Sequence, residues 1–277
     1  MVGTDTEYYR PKSLQEAIEL FYKLKNENKQ PMYYSGGTEI ITFHRLNLIH
    51  TGAIIDIKSI PECMSLEEDE NFLIIGAALP LTFLEEKNAF PLLSKTSSGI
   101  ADHTARNKIT LGGNICGQIF YREAVLPFLL VDSFVVVAGH DGVKSYPIQT
   151  VFNQTLNLFE GQLLVQFITE KRFLEMPHIA IKKRQQWETG YPLITFAAMK
   201  ADDQIRIALS GLCPFPFRSL DVERELNNRQ MPFEERINQA IKYLPNPILN
   251  DIEGSKEYRL YVLKNTLLDI LIELEGR

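Results

Sequence analysis

Apolar residues return at helical spacing early in the chain. Leu14, Ala17, Ile18, Phe21 and Leu24 share one face, and Ser13 with Glu16 makes an S-x-x-E capping box in front of them. Pro31 closes that pattern. A short extended run, Met32-Tyr33-Tyr34, then breaks at Ser35-Gly36-Gly37-Thr38, and helical spacing resumes through Ile40, Ile41 and Phe43. The continuous apolar stretch Ala53-Ile54-Ile55-Asp56-Ile57 predicts a buried strand, so the chain up to residue 57 reads as a β–α–β lobe.

The middle of the chain is richer in strands. Phe72 to Gly76 predicts a strand, followed by helical spacing over 81–86. Phe134 to Ala138 runs into Gly139-His140-Asp141-Gly142, a hairpin signal, with 144–147 returning, and 163–168 is a further strand. After Pro177 a second hairpin is expected, from 194–199 and 205–209 about the turn Ala201-Asp202-Asp203-Gln204. Helices follow at 220–226, 234–244 and 256–274. The pattern is α+β in three lobes, 1–57, 58–172 and 173–277, with no internal repeat.

Two glycine pairs interrupt this pattern, Gly36-Gly37 and Gly112-Gly113, each flanked by a threonine, Thr38 and Thr110. Glycine accepts φ > 0 and lets another group approach the backbone. A strand ending in such a turn before a helix aims N–H groups at one point and forms an anion cradle. Asn114 adds an amide donor and a carbonyl acceptor. A tight turn with no ligand fits the same residues, so periodicity leaves both readings open. Neither G-x-x-x-x-G-K-[ST] nor G-x-G-x-x-G occurs.

Composition narrows the field. The 277 residues carry a net charge of -6, which argues against nucleic acid as a partner. Cys63, Cys116 and Cys213 are odd in number and widely spaced, so neither a disulfide framework nor a protein-held metal site is expected. Cys116 reads as a small residue packed behind the second glycine pair. His44, His50, His103, His140 and His178 lack ligand spacing. The first five residues have no signal-peptide pattern, and no apolar run approaches the roughly 18 residues of a membrane helix, so a soluble cytoplasmic protein is expected.

The residues around the glycine pairs resemble a known family. Tyr34-Ser35-Gly36-Gly37-Thr38-Glu39 is similar to the first flavin-binding loop of the medium, FAD-binding subunits of molybdenum hydroxylases, the xanthine dehydrogenase and carbon monoxide dehydrogenase type. Arg106-Asn107-Lys108-Ile109-Thr110-Leu111-Gly112-Gly113-Asn114-Ile115 resembles the second. Ile54-Ile55-Asp56-Ile57 with Ile60-Pro61-Glu62, then Ile75-Gly76-Ala77, and finally residues 205–214 with Arg218, match further family motifs in order. Five motifs in sequence cover almost the whole chain.

The resemblance implies a two-lobed FAD-binding domain of the vanillyl-alcohol oxidase/PCMH type, followed by a C-terminal domain with a small antiparallel sheet and helices. It implies that Ser35, Gly36, Gly37, Thr38 and Glu39 hold the FAD pyrophosphate, so a Cβ at Gly37 is expected to strike it. Thr110, Gly112, Gly113 and Asn114 wrap the cofactor from the other side. Ile100 falls beside the isoalloxazine ring, Asp102 and Arg106 lead into the second loop, and Lys182 is a lysine near the flavin. The chain departs from the family in three places. Glu123, beside Ala124, stands in for an acidic residue expected three positions before Pro127. Gln186 replaces an arginine, and residues 117–122 are bulkier than usual. The implied activity is electron relay. Electrons arrive from a small [2Fe–2S] subunit fed by a large molybdopterin subunit, and leave from FAD to NAD+ or oxygen; no catalytic acid, base or nucleophile is needed on this chain. Two other readings stand beside it: an assembly subunit that has lost FAD, and a stand-alone flavin oxidase.

Overall fold

The computed structural model describes residues 6–184 and 190–276. Gln186, Trp187 and the first five residues, singled out in the sequence, lie outside the described residues. The amino-terminal lobe comprises β1 (Glu7–Tyr9), α1 (Leu14–Asn26), β2 (Met32–Tyr34), α2 (Thr38–Arg45) and β3 (Ala53–Asp56). Helix α1 starts where the capping box places it: Ser13 is extended and accepts the Glu16 N–H, while the Glu16 carboxylate reaches back to the N–H of Lys12. Its stripe, Ala17, Ile18, Phe21 and Leu24, is buried. The three strands form a parallel sheet in the order β1-β3-β2, so the most apolar of them is central. Strand β1 has two exposed residues of three and no apolar alternation, and the hydrophobic pattern does not reveal it.

The second lobe runs through α3 (Pro61–Met64), β4 (Leu66–Glu68), β5 (Phe72–Gly76), α4 (Leu81–Lys87), α5 (Pro91–Ser98), α6 (His103–Arg106), α7 (Leu111–Cys116) and α8 (Leu126–Leu130). It continues with β6 (Phe134–Gly139), β7 (Gly142–Pro147), α9 (Ile148–Val151), a small ribbon of β8 (Phe152–Asn153) and β9 (Thr155–Leu156), and β10 (Leu163–Glu170). Its antiparallel sheet has the order β4-β5-β10-β6-β7. Both faces of this sheet are covered. Val136, Ala138, Leu163 and Val165 pack with α1 and β3, whereas Val135, Val137, Leu164 and Phe167 pack against the second lobe's helices. Strict alternation would put Phe167 on the same face as Val165. A register shift between Leu164 and Gln166 inverts the pattern and turns Phe167 to the other core.

The third lobe holds β11 (His178–Lys183), β12 (Ile194–Ala201), β13 (Gln204–Ser210), β14 (Phe217–Arg218), α10 (Leu220–Leu226), α11 (Phe233–Ala240) and α12 (Lys256–Glu275). Asp202 and Asp203, both at positive φ, make the two-residue turn between β12 and β13. Strand β12 is buried on both faces: Ile194, Phe196 and Ala198 meet α10–α12, while Ala197, Met199 and Ala201 enter the second lobe's core. The three lobes are therefore joined through shared sheet faces, and the candidate site lies where their loops converge.

Candidate cofactor-binding site

A cavity of about 670 Å³ is lined by loops from all three lobes, a size in the range that accepts organic cofactors. Its first wall is the turn between β2 and α2. Gly37 sits at φ 70 and caps α2 without any side-chain acceptor. The N–H groups of Thr38, Glu39 and Ile40, in the first turn of α2, have no hydrogen-bond acceptor among the described residues. Four amides at a helix start lack intrahelical partners and carry the positive end of the helix dipole. Gly36 is needed for a different reason: a Cβ there would stand 2.0 Å from the Lys108 carbonyl oxygen. At Gly37 an added Cβ would meet the Tyr34 ring at 2.2 Å. That contact and the left-handed φ, not a ligand, are the first obstacles to a side chain, which corrects the expectation from sequence.

The turn is held from below. Lys58 Nζ donates to the Ser35 carbonyl (2.7 Å) and to Asp56 (2.9 Å), and Asp56 also accepts from the Tyr8 hydroxyl. Burial works against the charged Asp56 carboxylate, but the bonds from Tyr8 and Lys58 outweigh it and hold its pKa below the ordinary value. Glu39 faces the other way. Its carboxylate accepts the N–H groups of Gln118 (2.6 Å) and Ile119 (3.0 Å), fastening residues 117–119 over α2.

The second glycine pair is not a turn. Gly112 and Gly113 lie inside α7, and Thr110 caps that helix by accepting the Gly113 N–H (3.2 Å). The N–H of Leu111 goes to Leu79 and that of Gly112 to Ala77 (2.7 Å), so this helix start is spoken for, unlike that of α2. Gly112 is buried away from the cavity, where a Cβ would press on Ala77 at 2.9 Å. Thr110, Gly113 and Asn114 do reach the cavity wall. Asn114 Oδ1 accepts the Ala124 N–H (3.1 Å), which leaves its NH2 group as the donor available for a ligand.

Ile100, Ala101 and Asp102 supply another stretch of wall. Ala101 has φ 48, a conformation that needs outside support. Arg106 provides it: buried behind the loop, it donates to the carbonyls of Ile100 (3.2 Å) and Ala101 (3.1 Å) and pairs with Glu85. Asp102 caps α6 through the Ala105 N–H. Glu123 and Lys182 meet at 2.9 Å on the same wall, with side chains 3% and 10% exposed. Thr195 donates to Glu123, and Lys182 also donates to the Gly99 carbonyl, as does Arg184. Burial lowers the Lys182 pKa, and the adjacent Glu123 acts against that shift.

The structure also brings in residues that the motifs do not mark. Tyr121 stacks on Tyr191 (4.5 Å between centroids) and touches Phe120, so the bulky 117–122 segment forms an aromatic wall. Cys116 is exposed at the cavity and not packed behind the loop, as its small size had suggested. In the sequence, the departure of 117–122 from small residues was the one signal for this wall.

Residues 4–169 match the model of the FAD binding domain in molybdopterin dehydrogenase. The chain belongs to this family, the FAD-binding medium subunits of the molybdenum hydroxylases. It is 26% identical over 228 residues to the carbon monoxide dehydrogenase medium chain of Hydrogenophaga pseudoflava, covering 79% of this chain and 78% of that one. Against the xanthine dehydrogenase FAD-binding subunit of Escherichia coli O157:H7 it is 25% identical over 288 residues, covering 96% and 94%. The fold matches a solved carbon monoxide dehydrogenase from Hydrogenophaga pseudoflava with a TM-score of 0.88 at 22% identity, over 100% of this chain and 99% of that one. FAD fits the residues present. Open amides at the start of α2 suit a pyrophosphate, and the mixed wall of Ile100, Asn114, Tyr121 and Lys182 offers both contact area and hydrogen bonds.

Proposed function

We propose that this chain is the electron-relay subunit of a molybdenum hydroxylase complex, in which FAD collects electrons from iron–sulfur clusters on a small [2Fe–2S] subunit and yields them to NAD+ or oxygen. Substrate hydroxylation then belongs to a large molybdopterin subunit. Names among the relatives cover carbon monoxide, xanthine, glyceraldehyde and nicotinate. A flavin subunit common to such different substrates has no reason to read the substrate, so neither xanthine nor purine metabolism is assigned to it. A cytoplasmic complex fits a chain in which no described helix is long and apolar enough to cross a membrane.

One observation carries this reading: the uncapped α2 start at Gly37, held open beside Thr110 while the neighbouring α7 start is capped by its own residues. The roles of this chain's residues follow from that contrast. Gly36, Gly37, Thr38 and Glu39 present amides to the pyrophosphate, with Ser35 and Thr110 joining the two loops beneath it. Gly113 and Asn114 close on the cofactor from the second loop, and Ile100 and Asp102 flank the ring. Glu123 and Lys182 place one buried charge pair on the same wall. Gly112 and Arg106 act from behind, by packing and by holding the 100–101 backbone.

The test is a titration of the purified chain with FAD, read by visible absorbance and by flavin retained through gel filtration. Stoichiometric retention supports the relay reading. A chain that stays colourless in excess FAD overturns it in favour of the assembly role, and substrate turnover by the flavin-loaded chain alone would favour a free-standing oxidase.

A further inference from the structure

We infer that Arg259, on helix α12, is a positioning residue that fixes the Tyr191–Pro192 wall of the cavity and so governs how long FAD remains bound; this rests on the reading of the cavity as the FAD site. Arg259 is fully buried, at 0% exposure, and does not itself line the cavity, although its guanidinium reaches Tyr121 on the wall. Its guanidinium donates to the carbonyl of Leu193, to that of Gly211 (2.5 Å) and to Asp251 (2.6 Å). Leu193 is the first residue behind the wall, and its own N–H goes to Lys183 on the strand that carries Lys182.

The same backbone is gripped from the other side. Gly211, at φ 83, lies so close that an added Cβ would stand 3.0 Å from the Leu193 oxygen and 3.3 Å from that of Pro192. Within the wall, Tyr121 stacks on Tyr191. Burial pushes the Tyr121 hydroxyl up to about 12, with Asp251 adding to that shift and Arg259 opposing it, so Tyr121 in the stack sits within reach of the buried cation. A buried guanidinium that bonds two carbonyls and one carboxylate is expensive to leave out: without it those carbonyls and Asp251 lose their partner. Arg259 Nε itself has no acceptor among the described residues, so the grip falls to the two terminal nitrogens, on the Leu193 and Gly211 carbonyls and on Asp251.

The experiment uses the full chain loaded with FAD and measures the dissociation rate after dilution, by recovery of free-flavin fluorescence. Arg259→Met should raise that rate by roughly tenfold or more with little change in association, since the wall loosens once the flavin is inside. Arg259→Lys should fall between the two. Arg236→Met is the control: Arg236 is also buried and bonds Glu275 and the Leu226 carbonyl, but lies outside the cavity, so its loss should lower thermal stability and leave flavin release unchanged. Wild-type release in Arg259→Met, or equal acceleration in Arg236→Met, overturns the inference. If Arg259→Met does not fold, Gly211→Ala puts pressure on the same two carbonyls and must accelerate release. A wild-type chain that never binds FAD would refute the cofactor reading first.

Discussion

Ser35 Oγ stands 2.6 Å from Thr110 Oγ1, a hydrogen bond that ties together two segments 75 residues apart in the chain. Thr110 Oγ1 also accepts the Gly113 N–H, so one hydroxyl both caps α7 and latches the α2 turn. Thr110→Val removes both roles at nearly constant volume. We expect a stability loss of about 1–2 kcal/mol in a thermal or urea melt, from a lost cap and an unpaired Ser35 hydroxyl. FAD affinity should drop in parallel, by roughly tenfold for a loss near 1.4 kcal/mol. Thr110→Ser keeps the oxygen and should restore most of both.

The two glycines of the first turn should respond differently to alanine. At Gly36 the obstacle is the backbone carbonyl of Lys108, 2.0 Å from the added carbon, and the strand-to-helix turn must move away from the second loop. At Gly37 the obstacle is the Tyr34 ring, which can rotate, plus a left-handed φ that costs an alanine about 1–2 kcal/mol. Gly36→Ala should therefore weaken flavin binding more than Gly37→Ala, while Gly37→Val, with a β-branched residue at positive φ, should abolish retention. Equal flavin content in the two alanine variants would contradict this ranking.

The first glycine pair was legible in the sequence as a turn, whereas the second, open to the same reading, lies inside helix α7, for a physical reason. A glycine pair is consistent with positive φ and equally with close approach in a regular helix. Gly37 is the first case, and Gly112, against Ala77, is the second. Only tertiary packing separates them. Amphipathic α1 and the β12–β13 hairpin were visible because their patterns are regular and are punctuated by Ser13 and by Asp202-Asp203. Strand β1 was hidden because it is short and largely exposed, and the switch of faces in β10 because a bulge leaves no mark in composition. The aromatic wall depends on Tyr121 and Tyr191 meeting from 70 positions apart, which no local pattern can show.

Acid should loosen the α2 turn once Asp56 takes up its proton. Asp56 has its folded pKa below the ordinary 3.8, and its protonation removes the partner that holds Lys58 under Ser35. A carboxylate whose pKa is depressed by folding contributes stability that is complete above the unfolded value and disappears as pH falls through the folded one. Wild type should therefore exceed Asp56→Asn in stability above about pH 5, with the margin closing as the solution is taken well below 3.8. The check is a pair of denaturant titrations at several pH values. A margin that grows on acidification would reverse the assigned sign.

Lys182 and Glu123 should prove coupled rather than additive. Removing the lysine as Lys182→Met leaves the Glu123 carboxylate buried with Thr195 as its one side-chain donor among the described residues. Breaking a buried ion pair from one side typically costs about 3–5 kcal/mol, mostly from the charge left behind. Glu123→Gln strands the ammonium instead, although Lys182 retains the Gly99 carbonyl, so this variant should suffer less. In the double variant neither charge remains, and its loss of stability should be clearly smaller than the sum of the two single losses. Both single variants should also hold FAD less tightly, because the pair shares its wall with Ile100 and Asn114. Strict additivity in melts of the four proteins would mean that the 2.9 Å contact contributes no interaction energy.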